Sequence, residues 1–277
     1  MQSKIKALLG AHGITLTAPV ALRHLTITRP YLLSRHGITD GTAFMLAVPY
    51  YTTHCDDCAR NISIYAVSRD YHLFFEALFA DVLPQLRAAF PEHRFVGFTD
   101  HSPIAEAEAA VLAGLGQFGC NHLFLTKEHG SFAFLGEIIT DAVLDAPPHP
   151  VTVCSRCDAC RHACPVGLEI DTCLSALTQK KGVLTEEEES RIISGGLAWG
   201  CDTCQLACPV TRDAKKAGML YSRIPFFGEQ AIPHLTADAV RAMSEAEFAA
   251  RAYSWRGRAV ILRNLELFEK AEKGEPL

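Results

Sequence analysis

Two cysteine stretches, CSRCDACRHACP at residues 154–165 and GCDTCQLACPV at residues 200–210, decide how this chain is built. The first has the spacing C-x2-C-x2-C-x3-C-P, in which three closely spaced thiolates wrap one face of a four-iron cubane while the fourth reaches a second one. The second stretch repeats the C-x2-C-x3-C-P half of this pattern, and Cys173 lies between the two. The spacing therefore predicts two 4Fe-4S clusters.

Pseudo-twofold symmetry assigns the ligands, because each cysteine that precedes a proline crosses to the other cluster. The first cluster takes Cys154, Cys157, Cys160 and Cys208, and the second takes Cys201, Cys204, Cys173 and Cys164. This is a bacterial-ferredoxin-like module, whose role is to deliver low-potential electrons. Zinc knuckles also use C-x2-C pairs, but zinc sites do not need two C-x3-C-P endings.

The composition supports metal binding inside a cell. The chain has 277 residues, of which 49% are hydrophobic, so it can bury an ordinary core in one large or two modest domains. Eleven cysteines with no secretory signal at the N-terminus are typical of a metalloprotein in a reducing compartment, and we expect a cytoplasmic monomer with no membrane partner. The net charge of -5 argues against a general nucleic-acid coat but leaves a local basic patch open.

The pattern along the chain predicts an α+β protein in three parts. Residues 1–150 alternate strand-like and helix-like patches and form a mixed α/β domain, which ends at the proline-rich stretch 144–152. Residues 151–233 form the cluster module, and residues 234–277 form a helical tail. Two capping boxes, Thr185 with Glu188 and Ser244 with Glu247, predict helix starts.

Three cysteines remain outside the two quartets. Cys55 and Cys58 form a C-x2-C in THCDDCARN, which is either a redox pair, half of a metal site, or two exposed loop thiols. Cys120 either lines a site or packs as a small apolar residue.

Two glycine-containing segments of the first domain stand out, FTDHSPIAEAEAAVLAGLGQFGCNHLFL at 98–125 and GSFAFLGEIITD at 130–141. Glycines at 114, 116 and 119 leave backbone bare, so a bulky flat ligand can lie against the chain. The alternative is a helix C-cap followed by a tight turn into a strand.

Together with SIYAVSRDYH at 63–72 and both cysteine stretches, these segments occur in the order and spacing of the epoxyqueuosine reductase family. The resemblance covers roughly residues 45–270. It implies a cobalamin in the first domain, which receives electrons from the two clusters and reduces the epoxide of epoxyqueuosine in a tRNA anticodon to the alkene of queuosine. The cofactor supplies the hard chemistry, and the protein supplies orientation and protons.

The family's catalytic aspartate falls on Asp100 of FTDHSP, which the resemblance makes the general acid for the epoxide oxygen. His101 is an alternative donor. A purely structural alternative is that Asp100 caps the helix that follows it.

The resemblance also implies a set of cofactor-binding residues. They are Tyr65, Arg69, Tyr71, His72, His101, Gly116, Gly119, Cys120, Asn121, Gly130, Ser131 and Gly136. For residues 69–72 the alternative is an ordinary helix start.

The chain departs from the family at two points. Where the family has a Lys before Asn121, this chain has Cys120, so any contact made by that Lys is lost or replaced. Longer members continue into helical repeats that help hold tRNA, whereas this sequence stops at Leu277, and we expect its grip on tRNA to be weaker or differently built. Arg256, Arg258 and Arg263 form a basic cluster that either meets phosphates or is a solvated helix face.

Two other functions stay open at this stage. One is a related corrinoid reductase that acts on a small molecule, as in dehalogenation, and the other is a ferredoxin-like electron carrier whose N-terminal domain only docks a partner. The epoxyqueuosine reductase hypothesis requires an external electron donor such as a flavodoxin or ferredoxin, together with tRNA or its nucleoside as substrate.

Overall fold

The computed structural model describes residues 1–274, and the last three residues of the predicted tail, 275–277, lie outside the described part. The contacts divide the chain into two compact units, each made of three segments. The first unit comprises Met1–Tyr50, His72–Cys157 and Val210–Ile224. The second unit comprises Tyr51–Tyr71, Asp158–Pro209 and the chain from Pro225 onward.

An antiparallel sheet forms the centre of the first unit. Its strands, in spatial order, are β1 (Leu16–Ala21), β2 (Thr42–Pro49), β6 (Ala133–Thr140) and β3 (Phe95–Phe98). Strand β2 is buried along its whole length, which explains why its sequence is apolar at almost every position instead of alternating. The strands β4 (Gln117–Phe118) and β5 (Phe124–Leu125) form a separate two-stranded hairpin, which precedes β6 in the sequence.

The helices are short apart from two. They are α1 (Gln2–Ala11), α2 (Pro30–Ser34), α3 (Tyr71–Ala89), α4 (Glu106–Leu112), α5 (Ala159–Ala163), α6 (Leu174–Thr178), α7 (Glu186–Gly195), α8 (Thr203–Leu206), α9 (Pro209–Lys216), α10 (Ala237–Ala242), α11 (Glu245–Ala249) and α12 (Arg258–Lys273). Single 3-10 turns occur at Leu22–His24, Thr53–Asp56, Ile64–Ala66, Pro225–Phe227 and Ala252–Arg256.

Each unit has its own apolar core. In the first unit, Ala109 and Ala110 of α4 pack with Met45 and Ile139 of the sheet. In the second unit, Leu174 of α6 packs with Ile192 of α7 and Leu267 of α12. Apolar burial of this kind, at about 25 cal/mol per Å2, supplies most of the stabilisation of each unit.

Both predicted capping boxes are confirmed. Thr185 accepts from the N–H of Glu188 at the start of α7, and Ser244 accepts from the N–H of Glu247 at the start of α11. The predicted α+β mixture of helices and strands is confirmed as well, and the strands of the main sheet are antiparallel.

The division into units differs from the sequence-based division, because residues 151–157 belong to the first unit and the predicted tail lies in the same unit as most of the cluster module. Residues 51–71 belong to the second unit, and residues 210–224 belong to the first. Local patterns do not encode such exchanges, because they depend on contacts between distant parts of the chain. Among residues 1–274, no helix combines the length and the apolar character needed to cross a bilayer.

Candidate functional site

The loop that carries Asp100 joins β3 to α4 in the first unit and is held on both sides. Thr99 Oγ1 donates to the carbonyl of Leu135 at 2.7 Å, and the N–H of Asp100 donates to Glu106 Oε1 at 3.1 Å. Asp100 has a φ of +59°, a left-handed conformation that Asp adopts more readily than most residues. Ala105, not Asp100, is the N-cap of α4, so the capping alternative is wrong.

The Asp100 carboxyl projects outward with an imidazole beside it. Its side chain is 70% exposed, and His72 Nε2 at the start of α3 lies 3.7 Å from Asp100 Oδ2. The neighbouring His101 takes a different partner, since its Nε2 lies 3.0 Å from the hydroxyl of Tyr31. The structure thus brings together a carboxyl that can donate a proton and an imidazole able to resupply it.

Beneath this loop lie two carboxyl groups that the sequence analysis did not single out. Glu137 of β6 is fully buried, and its Oε1 accepts from Ser102 Oγ at 2.5 Å. Burial raises the pKa of Glu137 well above its ordinary value, and the charge of Glu106 raises it further. Burial also raises the pKa of Glu106, to about 7. A glutamate in the apolar strand AFLGEIIT is the sequence signal for this pair.

The hairpin of β4 and β5 contains the predicted residues Gly116, Gly119, Cys120 and Asn121. A Cβ at position 116 would lie 2.5 Å from the carbonyl oxygen of Leu125, and one at position 119 would lie 2.3 Å from Asn121 Oδ1. Packing against a backbone oxygen therefore already requires glycine at position 116, whereas at position 119 the end of the Asn121 side chain can move aside. Contact of these residues with a cofactor stays a prediction.

Cys120 lies against one of the predicted cluster ligands. Its Sγ is 3.6 Å from the Sγ of Cys154, and both residues belong to the first unit. Burial raises the pKa of Cys154, but hydrogen bonds from the backbone of Arg156 and from Cys120 outweigh it, so the net effect lowers the pKa. This environment favours the thiolate, which is the form that binds iron.

The segment around Gly130 packs on helix α9. A Cβ at Gly130 would lie 2.3 Å from Thr211 Oγ1, and one at Gly136 would lie 2.4 Å from the ring of Phe75. Ser131 is buried. His129 Nδ1 and Thr211 Oγ1 are buried and have no hydrogen-bond partner among residues 1–274. Such unpaired atoms are rare in native proteins and are candidates for contacts with a bound group.

Cys154 and Cys157 belong to the first unit, and the parts of the two cysteine motifs that lie in the second unit form matching pieces. Cys160 lies in α5 and Cys204 in α8, these helices pack against each other, and each is followed by a cysteine and a proline. Cys173, another predicted cluster ligand in this unit, is the N-cap of α6. The repeated geometry is what the pseudo-twofold interpretation of the sequence predicts.

Within the described chain, no three side chains of His, Cys, Asp or Glu converge closely enough to hold one metal ion. A cubane makes a different demand, because each of its four irons takes a single thiolate and the ligands lie further apart.

Asp202, between two of the cluster cysteines, anchors the segment 60–64 in the second unit. This buried carboxylate accepts from Arg60 Nη1 at 2.8 Å, from Ser63 Oγ at 2.5 Å and from the N–H of Ile64 at 3.0 Å. Burial raises the pKa of Asp202, while the charge of Arg60 opposes the rise. The sequence analysis missed this role, although an acidic residue inside a cysteine motif was its signal.

Tyr65, Arg69 and Tyr71 are predicted to line the cofactor pocket. In the structure they interact with other residues of the protein. Tyr65 accepts from the indole N–H of Trp199 at 2.6 Å, and burial raises its pKa far above the ordinary value. Arg69 Nη2 lies 3.3 Å from Glu229 Oε2. Tyr71 begins α3, so the helix-start alternative is confirmed for this stretch.

Only one arginine of the predicted basic cluster remains available for a ligand in the second unit. Arg258 pairs with Glu245 at 2.9 Å, and Arg263 donates to the carbonyls of Lys180 and Gly182. Arg256 instead stacks on Trp255 at 3.7 Å. It also lines a cavity of about 560 Å3 with other cations, namely Lys180, Lys181 and Arg191.

The C-x2-C pair is split between two environments. Cys55 is buried and its Sγ accepts from the N–H of Thr52 at 3.4 Å, whereas Cys58 is exposed. Burial raises the pKa of Cys55 and favours the thiol over the thiolate. The prediction of two exposed loop thiols is therefore wrong for Cys55, which is buried.

Comparisons with known proteins agree on one family. No family model matches the chain. Proteins named epoxyqueuosine reductase are similar in sequence: that of Pseudomonas aeruginosa is 35% identical over 57% of this chain and 45% of its own, that of Gloeobacter violaceus 33% over 68% and 61%, and that of Escherichia coli 37% over 54% and 41%. The chain thus spans about half the length of the curated relatives it matches.

Solved structures show the same fold over nearly the whole chain. The epoxyqueuosine reductase of Streptococcus thermophilus superposes with a TM-score of 0.74 at 20% identity, covering 100% of this chain and 86% of that one. A structure of epoxyqueuosine reductase with an epoxyqueuosine-modified tRNA-Tyr stem loop gives a TM-score of 0.74 at 23% identity, covering 96% and 80%. The similar sequences and the shared fold support the assignment of the chain to the epoxyqueuosine reductase family.

Proposed function

We propose that this chain reduces the epoxide of epoxyqueuosine to the alkene of queuosine, the last step of queuosine synthesis. One observation carries the proposal: the chain has 33–37% identity to proteins of that name and retains the exposed Asp100 on a tethered loop. A relative of the same fold was solved with the epoxyqueuosine-modified tRNA stem loop, which supports tRNA as the substrate.

The reaction needs two electrons and two protons. Both carbon–oxygen bonds of the epoxide break, a carbon–carbon double bond forms, and the oxygen leaves as water. Asp100 delivers a proton to the departing oxygen, and His72, 3.7 Å away, replaces that proton. An acid in this position is needed because an alkoxide is a poor leaving group.

Two 4Fe-4S clusters would supply the electrons. The donor set fits, since the chain has eight cysteines in two C-x3-C-P patterns and the half-motifs around Cys160 and Cys204 are built alike. We assign the ligands as two quartets, Cys154, Cys157, Cys160 and Cys208 for one cluster and Cys164, Cys173, Cys201 and Cys204 for the other. An external donor such as a flavodoxin or ferredoxin would feed them.

A cobalamin held by residues of the first unit would supply a low-potential metal centre for the reduction. The residues of the first unit fit such a group, because the hairpin around Asn121 is partly exposed and the buried atoms His129 Nδ1 and Thr211 Oγ1 have no hydrogen-bond partner among residues 1–274. Amide arms of a corrin need such donors and acceptors. Gly116, Gly119, Gly130, Ser131 and Gly136 would lie beside it.

The decisive experiment supplies the anaerobically reconstituted protein with cobalamin, a low-potential reductant, and either epoxyqueuosine-bearing tRNA or the free nucleoside. Queuosine is measured by mass spectrometry of the digested nucleosides. We expect product from tRNA, and about eight irons per chain. Product from the nucleoside alone would favour the small-molecule reductase, whereas no product and no retained corrin absorbance would favour the electron carrier.

A further inference from the structure

Two carboxyl groups of the first unit lie beneath the Asp100 loop and take no part in the proposed proton transfer. Glu137 comes from the middle of β6, where it pairs with Phe98 of β3, and it is 0% exposed. Glu106 is the first residue of α4, and the side chains of the two glutamates interact directly.

A carboxyl pair in this position is costly to keep. An ionised carboxylate in an apolar interior loses hydration, and two adjacent carboxylates repel each other. Glu137 receives one hydrogen bond, from Ser102, while its Oε2 has no partner within the described residues. Burial raises the pKa of both groups and so favours protonated forms of the pair. An apolar residue would fill the same space more stably.

The hydrogen bonds of the pair show what it holds. Glu106 Oε1 accepts from the N–H of Asp100 at 3.1 Å, and Glu137 Oε1 accepts from Ser102 Oγ at 2.5 Å. These two bonds therefore secure the loop on either side of His101. The left-handed φ of Asp100, +59°, is a conformation that persists only where surrounding contacts impose it.

Two other charged groups act on Glu106. The Asp100 carboxylate raises its pKa and Arg29 lowers it, while Arg29 also donates to the carbonyl of Ser102 at 2.9 Å. These are smaller influences than burial. Arg29 thus ties the same loop from the side of α2, and Tyr31 does so through His101.

We propose that Glu106 and Glu137 are positioning residues for Asp100, holding its loop through the Asp100 N–H and the Ser102 hydroxyl so that the carboxyl meets the substrate. This inference rests on the proposed function. An ionised Glu106 binds the N–H more strongly than a neutral one, because the hydrogen bond is then charge-assisted. Ionisation of Glu106, whose pKa is about 7, should accordingly add a rising component to the pH profile of turnover, on top of the fall that a general acid imposes.

The test compares three variants of the reconstituted, cluster-loaded protein. Glu106→Ala removes the acceptor and should lower kcat about tenfold to a hundredfold with KM little changed, the loss expected for one hydrogen bond to a charged group. Glu106→Gln retains an acceptor oxygen, so it should restore most of kcat and abolish the rise with pH. Glu108→Gln, in the same turn of α4, is the control and should behave as wild type.

Hydrogen–deuterium exchange of the peptide spanning residues 98–104 provides a readout that does not depend on turnover. We expect exchange at least about tenfold faster in Glu106→Ala than in Glu106→Gln or Glu108→Gln, because a backbone hydrogen bond of the loop is lost. Unchanged exchange in Glu106→Ala overturns the inference, and so does faster exchange with wild-type kcat. A wild-type protein that forms no queuosine, while Glu106→Ala still exchanges faster, overturns the proposed function and leaves the anchoring role supported.

Discussion

Removal of the Asp202 carboxylate should destabilise the second unit more than any surface substitution. Asp202→Ala leaves the guanidinium of Arg60, whose side chain is 11% exposed, without a counterion. Breaking a buried ion pair from one side costs about 3–5 kcal/mol. The hydroxyl of Ser63 and the N–H of Ile64 also lose their acceptor, at about 1–3 kcal/mol each before relaxation.

These contributions are not additive, since the three donors share one site and water can enter once the carboxylate is gone. We therefore expect a loss of about 4 kcal/mol in the free energy of unfolding, a large fraction of the roughly 5–15 kcal/mol typical of a domain. Asp202→Asn should not rescue the protein, because its amide hydrogens would face donors instead of accepting from them.

Trp199 provides the local probe for this measurement. It is fully buried in the second unit, and the other tryptophan, Trp255, is 58% exposed and can be replaced by Phe in the background protein. Urea unfolding followed by Trp199 fluorescence should show the midpoint lowered by more than about 1 M with an unchanged slope.

The matched control is Asp238→Ala, which breaks an exposed ion pair with Arg241 and should change stability by less than about 1 kcal/mol. Equal midpoints for Asp202→Ala and Asp238→Ala would refute the interpretation of Asp202 as an anchor.

Three further predictions concern the first unit. Asp100→Asn should lower queuosine formation by at least about a hundredfold with unchanged cluster absorbance, and a rate within tenfold of wild type would contradict the proton-donor role. Cys120→Ala removes a thiol 3.6 Å from Cys154 Sγ, so an EPR-monitored redox titration should show a lower cluster potential; an unchanged potential would exclude this influence. The raised pKa of Glu106, about 7 against 4.5, means that the folded state binds more protons than the unfolded state between these values, so stability falls as pH rises through that window. In Glu106→Gln, the loss in the free energy of unfolding across this pH window should be smaller than in wild type by roughly 2–3 kcal/mol, a figure that allows for screening by water. Parallel pH–stability curves of the two proteins would disprove this prediction.

Local chemistry made part of the molecule predictable. The capping boxes at Thr185 and Ser244 define helix starts through neighbouring residues alone, and the cysteine spacing predicts the repeated half-motifs for the same reason. The resemblance to a family pointed to Asp100, whose exposed position on a tethered loop agrees with a role in proton transfer.

Features that depend on distant partners could not be predicted. Arg258 and Arg263 look like a basic cluster in the sequence, yet Glu245 and the carbonyl of Lys180 occupy them, and these partners lie 13 and 83 residues away. The interaction of Glu137 with Glu106 likewise depends on residues that are distant in the sequence, although the apolar neighbours of Glu137 indicate that it is buried.

The order in which the chain visits its two units has a consequence for biosynthesis. The polypeptide passes between the units five times, and the first unit is complete only when Val210–Ile224 has been made, with Thr211 set against Gly130 and Ile224 against Gly13. A nascent chain that has left the ribosome only as far as the first cysteine motif therefore lacks part of both cores. The two proposed clusters would then receive iron only in a nearly finished polypeptide. A cut at the proline-rich stretch would separate each unit from a segment that lies in the other half of the chain.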